Sequence, residues 1–297
     1  MYTVNNFING KSDSTSSKSS KIINPSYGVD IGEVLYATKE SANLAIDAAS
    51  DAFKTWSKTG MSYRAELILK FRQEVINKSA EIIDICTKEA GKTKPDAEAE
   101  LDRAIQALTH ASGIQHFYPA HISRNVAGNI DIADMRYPIG VVAGVGPFNF
   151  PILIPILHSS MALVTGNTYI AKPSEKVPSI SRLYADIYKD IGLPDGCYNV
   201  INGGKDIVEY IVSHQKVDGL AFIGSTNAAR SLKALGVKSN TKVQALGGGK
   251  NHMIVLPDAD LDMAADAAVS ASFGAAGQRC MAVSVVVAVG DLSLIHI

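Results

Sequence analysis

The stretch YPIGVVAGVGPFNFP, residues 137–151, joins an apolar run to a tight Gly/Pro turn and then to the start of a helical pattern. Val141, Val142, Ala143 and Val145 read as a buried strand, Gly144 to Pro147 as its exit, and residues 150–164 as a helix. The same punctuation recurs downstream. NTYIAKP (167–173), GCYNVING (196–203), VDGLAFIG (217–224) and TKVQALGG (241–248) read as strands, separated by helices near residues 178–191, 206–214 and 227–235. Short β-runs alternating with helices predict β-α-β units, hence a Rossmann-like α/β fold built on a parallel sheet with flanking helices. In such sheets ligands sit at the carboxyl ends of the strands.

Working outward, residues 38–56 repeat Ala42, Ala45, Ile46, Ala49, Phe53 and Trp56 at helical spacing. A second helical pattern runs from a cap at Ser62 to a stop at Gly91, and a third begins near Pro95. SDSTSSKSSK, residues 12–21, lacks periodicity and reads as a surface loop. Residues 119–138, two alternating runs around Gly128, read as a projecting β-hairpin. After Gly249 come a strand, a helix, a loop holding Cys280 and a last strand, the start of a second α/β domain. The expected division is 1–245 and 246–297, the second incomplete because one strand-helix-strand unit cannot bury both faces of its sheet.

A chain of 297 residues with 46% hydrophobic content supports a sizeable core. Its 29 acidic and 28 basic residues, without a long Lys/Arg block, favour neither a nucleic-acid nor a membrane-surface partner. The opening MYTVNNFING has neither the pattern of a secretory signal nor that of a transit peptide, so a cytoplasmic location is expected. Cys86, Cys197 and Cys280 are too few and too scattered for a disulfide framework, and no metal-ligand spacing is present. Cys86 and Cys197 lie in apolar patterns and read as buried fillers.

AGVGPFNFP, residues 143–151, is a partial match to the dinucleotide fingerprint G-x-G-x-x-G, with Asn149 in place of the third glycine. The next strand ends in AKPSE (171–175), and the fourth in FIGST (222–226), where Gly224 permits close backbone approach and Ser225 opens a helix. PFNFP (147–151), KPSE (172–175), FIGST, GGGK (247–250) and FGAAGQRC (273–280), in this order and spacing, resemble the aldehyde dehydrogenase superfamily. That resemblance implies that Cys280 is the nucleophile and that the Asn149 amide forms the oxyanion hole with the Cys280 backbone N–H. It also implies NAD as cofactor, with Phe148, Lys172, Glu175, Gly224 and Ser225 in its site: Lys172 and Glu175 at the adenosine ribose, Ser225 at the pyrophosphate. A carboxylate at Glu175 accepts from ribose hydroxyls and repels a 2′-phosphate, which favours NAD over NADP.

One departure narrows the branch. Superfamily members that release free acids resemble L-E-L-G-G-K before the cysteine loop, whereas this chain reads ALGGGK, with Leu246 at the position of the glutamate that activates water. A thiol of pKa roughly 8.5 attacks a thioester without such a base, so coenzyme A becomes the expected acyl acceptor. Together with VQA, KNH and GAAGQRCM, this departure resembles the methylmalonate-semialdehyde dehydrogenase branch, and the resemblance assigns Arg279 and Arg103 to the substrate carboxylate. On helix geometry alone Arg103 falls opposite the apolar stripe of its helix, where a pairing with Glu100 competes with a ligand role. The implied reaction is oxidation of malonate or methylmalonate semialdehyde, with decarboxylation, to acetyl- or propionyl-CoA by a homotetramer assembled partly through the hairpin. The rival readings are a hydrolytic dehydrogenase and a non-catalytic nucleotide-binding fragment. The family also continues well past residue 297, so a truncated chain, inactive on its own and with an uncovered apolar face, is expected, and DLSLIHI (291–297) no longer resembles it.

Overall fold

The computed structural model describes residues 1–16, 18–118 and 120–292; Pro119 of the expected hairpin and most of the DLSLIHI tail lie outside the described residues. Two compact units are present, Met1–Leu246 and a smaller one from Gly247. In chain order the first holds β1 (Tyr2–Val4), β2 (Asn6–Ile8), β3 (Lys11–Asp13), β4 (Lys18–Asn24) and β5 (Val29–Tyr36). Helices α1 (Lys39–Trp56), α2 (Met61–Asn77), α3 (Ser79–Ala90), α4 (Lys94–Ser112) and α5 (Ile114–Phe117) come next, then β6 (His121–Ser123) and β7 (Ile132–Asp134). The alternating part is β8 (Val141–Val145), α6 (Leu153–Val164), β9 (Thr168–Lys172), α7 (Ser179–Asp190), β10 (Tyr198–Val200), α8 (Lys205–Val212), β11 (Gly219–Ile223), α9 (Thr226–Ser239) and β12 (Lys242–Leu246).

The main sheet has the order β12-β11-β8-β9-β10-β2-β3. Its first five strands run parallel, and β2 joins β10 antiparallel. The α/β expectation is therefore met. The chain builds outward from β8 through β9 to β10, then returns to the other side of β8 with β11, which makes the β8/β11 boundary the topological switch point. Strand β9 shows why the sheet needs helices on both faces. Tyr169 and Ala171 enter the core formed with α2, α4, α6 and α7, while Ile170 enters the core formed with α1, α8 and α9. Gly144 is required at its position because a Cβ there would overlap Tyr169 Oη on the neighbouring strand.

Three expectations need correction. Residues 12–21 are not a loop: Lys11–Asp13 and Lys18–Asn24 are strands, the latter paired antiparallel with β5 and burying Ile22 completely. The pattern from 62 to 91 is two helices, broken at Lys78 (φ −95°, ψ 15°). Gly60, not Ser62, caps α2, and the Ser62 hydroxyl bonds Gln115 instead. Gly91 ends α3 in the left-handed region, as its sequence position predicts. β6 and β7 pair antiparallel as the expected hairpin, with Ile122, Ile130, Ile132 and Met135 exposed.

The second unit contains β13 (Asn251–Val255), α10 (Leu261–Phe273), a 3₁₀ turn at Gly274–Gly277 and β14 (Val283–Ala288), the two strands parallel. No residue of α10 is buried, and Ile254, Met263, Val269, Phe273 and Val286 are exposed. Among the described residues no helix is long and apolar enough to cross a membrane.

Candidate functional site

Three adjacent strands of the main sheet, β11, β8 and β9, end at the same edge, and most of the expected site residues lie at or just beyond those three strand ends. After β8 comes the turn Gly146–Ile152, carrying Phe148 and Asn149 into α6. Gly146 N–H donates to the Lys172 carbonyl at 3.1 Å, tying this turn to the end of β9. Phe148 is exposed, with Lys176 Nζ 4.9 Å from its ring centroid.

β9 ends on Lys172, whose side chain is 7% exposed and whose Nζ lies 3.4 Å from Glu175 Oε2. Burial pushes the Lys172 ammonium below its ordinary range, and the Glu175 carboxylate opposes that shift. A buried ammonium beside a half-exposed carboxylate can present both a donor and an acceptor to a ribose. β11 is followed at once by Gly224, where a Cβ would press on the Phe222 ring at 2.5 Å. Ser225 caps α9, its hydroxyl accepting from Ala228 N–H at 3.3 Å, so its capping role is met. The remaining N-terminal amides of this 14-residue helix provide a partial positive charge suited to phosphate.

Cys280 and Arg279 belong to the second unit. Cys280 is exposed, whereas Cys86 and Cys197 are buried and burial pushes each of those thiols up to about 12. Only the exposed thiol suits nucleophilic work; Cys86 and Cys197 are the fillers expected. The approach to Cys280 is tight: Ala275 (φ 53°), Ala276 (φ 55°) and Gly277 (φ 70°) stand consecutively in the left-handed region, which costs a non-glycine residue about 1–2 kcal/mol. The Arg279 guanidinium folds over Gly274, where a Cβ would stand 3.0 Å from it. Asn251, at the start of β13, donates through Nδ2 to the Cys280 carbonyl (2.8 Å) and the Ala282 carbonyl (3.0 Å), fixing the main chain at and just after the cysteine. Sequence reasoning gave Asn251 no role.

Arg103 is exposed on α4 and donates to Gln106 Oε1 at 3.2 Å. The alternative of a pairing with Glu100 is not realised. Glu100 points inward, its side chain 1% exposed, and takes a bond from Lys92 Nζ. Burial pushes its carboxyl up, opposed by Lys92 and by the Ile152 and Leu153 amides. The signal was present in the sequence, since Ala97, Glu100, Leu101, Ala104 and Leu108 share one helical face, and a carboxylate among them requires a partner.

His158 on α6 also went unassigned. With Gly144, Gly146, Tyr169 and Lys172 it lines a small cavity behind the β8 turn, and its buried Nδ1 has no hydrogen-bond partner. Burial lowers its pKa to about 4, so the unfolded chain binds a proton below about 6.5 while the folded chain does not until about 4. The stability tied to neutral His158 is therefore present above pH 6.5 and lost as pH falls toward 4. Urea unfolding should lose about 2–3 kcal/mol from this source between pH 7 and 4.5, and His158→Gln should lose that much less. Equal pH slopes for the two proteins would show that His158 is not the responsible group. Among the described residues no cluster of His, Cys, Asp or Glu could hold a metal ion.

The aldehyde dehydrogenase family pattern matches residues 12–293. Malonate-semialdehyde dehydrogenase of Pseudomonas aeruginosa is 41% identical over 98% of this chain, and its counterpart from Lacticaseibacillus casei is 40% identical over 96%. The chain spans 59% and 58% of the lengths of those two relatives. The crystal structure of methylmalonate-semialdehyde dehydrogenase from Oceanimonas doudoroffii superposes with a TM-score of 0.95 at 38% identity, over 99% of this chain and 60% of that one. A Sinorhizobium meliloti 1021 protein complexed with NAD superposes equally well, TM-score 0.95 at 37% identity, over 100% of this chain and 60% of that one. With the strand-end residues in family order and the family pattern running through the exposed cysteine, the chain belongs to the aldehyde dehydrogenase family.

Proposed function

We propose that this chain carries the NAD-binding domain and the nucleophile of a CoA-acylating, NAD-dependent malonate- or methylmalonate-semialdehyde dehydrogenase of the cytoplasm. The observation that supports it most is the placement of Asn149, Lys172 with Glu175, and Gly224 with Ser225 after three neighbouring strand ends that flank the switch point. These residues fit a dinucleotide: a carboxylate and a buried ammonium for ribose hydroxyls, Phe148 and a close backbone approach at Gly224, and a helix N-terminus for the pyrophosphate. When bound, NAD accepts hydride. Cys280 adds its sulfur to the aldehyde carbon, Asn149 donates to the oxygen that gains charge, and Arg279 and Arg103 hold the substrate carboxylate. The substrate loses hydride to become a thioester on Cys280; its carboxylate then leaves as carbon dioxide, the electron pair of the broken C–C bond passing into the thioester enolate, which takes up a proton from solvent to become the acetyl or propionyl group.

Leu246, at the end of β12, offers no proton acceptor, which favours transfer of the acyl group to the thiol of coenzyme A over hydrolysis. The hairpin β6–β7, with its exposed apolar residues, is assigned to assembly of a homotetramer. Because the chain spans about 60% of its relatives' length, steady-state turnover by these 297 residues alone is expected to be slight.

Dinucleotide binding is the direct test. Calorimetry on the purified chain should show NAD bound at least about tenfold more tightly than NADP, because a 2′-phosphate would meet the Glu175 carboxylate. Glu175→Gln should narrow that ratio. Failure to bind NAD, or equal affinity for both dinucleotides in the wild-type chain, would sink the reading. In a steady-state assay of the protein completed to its relatives' full length, NADH formation that proceeds equally without coenzyme A would replace the acylating reading with the hydrolytic one.

A further inference from the structure

Helix α6 begins without a side-chain cap of its own: Ile152 at its N-cap makes no such bond. The first amides of a helix lack partners within it and need an acceptor from elsewhere. That acceptor is Glu100 Oε1, which takes the Ile152 N–H at 2.8 Å and the Leu153 N–H at 2.9 Å. Glu100 stands on α4, some fifty residues earlier, so the turn is located against a different helix rather than by its own sequence. Its second oxygen is held by Lys92 Nζ, and that ammonium also lies 4.3 Å from the Phe150 ring centroid. Tyr184 Oη donates to the Ile152 carbonyl at 3.1 Å. The contacts therefore grip Phe150, Ile152 and Leu153, immediately after Asn149.

We infer that Lys92 and Glu100 are positioning residues that fix the direction of the Asn149 side chain by clamping the turn between β8 and α6. The inference rests on the reading of Asn149 as the donor to the developing oxyanion, a task that needs a donor held to within a fraction of an ångström. A carboxylate buried solely for stability is weakly motivated, because an apolar pair of equal volume often serves as well. A carboxylate delivering one oxygen to two helix amides and the other to an ammonium defines a direction, which an apolar pair cannot do.

The test uses the 297-residue chain and needs no turnover. Amide exchange at Ile152 and Leu153 and the side-chain amide resonance of Asn149 are followed by NMR in wild type, Glu100→Leu, Glu100→Gln and Lys92→Met. In Glu100→Leu the two amides should exchange about 100-fold faster and the Asn149 resonance should shift or split, while the amides of β8 and β9 stay within about threefold of wild type. Glu100→Gln, which keeps one acceptor oxygen, should recover most of the protection. Lys92→Met should shift the Asn149 resonance in the same direction, and it serves as the deciding variant if Glu100→Leu does not fold.

An unchanged Asn149 resonance in Lys92→Met, or exchange accelerated evenly through β8 and β9, overturns the inference and leaves the pair a stability element. Asn149→Ala should leave Ile152 and Leu153 protected. If the clamp behaves as stated but Asn149→Ala captures aldehyde as fast as wild type, the oxyanion reading alone fails.

Discussion

Replacing Cys280 by alanine is expected to remove acyl capture altogether. With the chain held at stoichiometric NAD and semialdehyde, intact-mass analysis of the wild type should show an acyl adduct that maps to residues 273–281, and the alanine variant should show at least about 1,000-fold less. The size of the effect is set by the other two thiols. With pKa values near 12, Cys86 and Cys197 hold about one part in 10⁵ of thiolate at pH 7. Both are also fully buried, so neither can substitute. An adduct that persists in Cys280→Ala, or that maps to either buried cysteine, would remove the basis for the proposed chemistry. Arg279→Ala tests the neighbouring assignment in the same assay, since it should slow capture of a carboxylated aldehyde far more than capture of propionaldehyde.

The second large effect concerns the support beneath the site. Phe71 of α2 is fully buried, stacked on Tyr188 with centroids 3.8 Å apart and 6° between planes, and meets Tyr184 edge-on at 5.6 Å. Those two tyrosines belong to α7, and their hydroxyls reach α6 at the Ile152 carbonyl and Ser159. Phe71→Ala should destabilise the first unit by about 3–5 kcal/mol in urea unfolding, because a cavity in this stack leaves two large rings without their partner. Tyr188→Phe, which removes a hydroxyl and leaves the stack, should cost about 1 kcal/mol. Similar losses for both variants would show that the hydroxyl contact, not the ring packing, carries the stability.

Legibility in the sequence tracked burial. The inner parallel strands could be read because both faces are covered, giving unbroken buried runs such as Thr168–Lys172 with Tyr169, Ile170 and Ala171 at its centre, and the helices because their buried stripes recur at helical spacing. Strand β4 could not be read that way: Lys18–Asn24 turns only Ile22 and Asn24 inward and is otherwise Ser, Lys and an exposed Ile23, so its strand character comes from pairing with β5. The break at Lys78 carries no sequence signal because neither glycine nor proline marks it. At the candidate site the residues on strand ends were legible through the order of the motifs. Of those that hold them in place, Glu100 was marked only as a carboxylate on a buried helical face, without its partners, and Lys92 and Asn251 were not marked at all, since the amides at Ile152 and the Cys280 carbonyl that complete their contacts lie far away in sequence.

The antiparallel join of β2 to β10 has a consequence for how this chain is made. Phe7 lies opposite Val200, and the Asn6 side chain accepts from Asn202 N–H at 2.8 Å, so residues 6 and 7 are stitched in only after some two hundred further residues have emerged from the ribosome. Until then the main-chain groups of β10 on that side have no strand to meet, and a nascent polypeptide with such an open flank attracts foreign strands. Closure of so distant a pairing is slow, which places an interval of aggregation risk between emergence of residue 200 and the docking of residues 6–13.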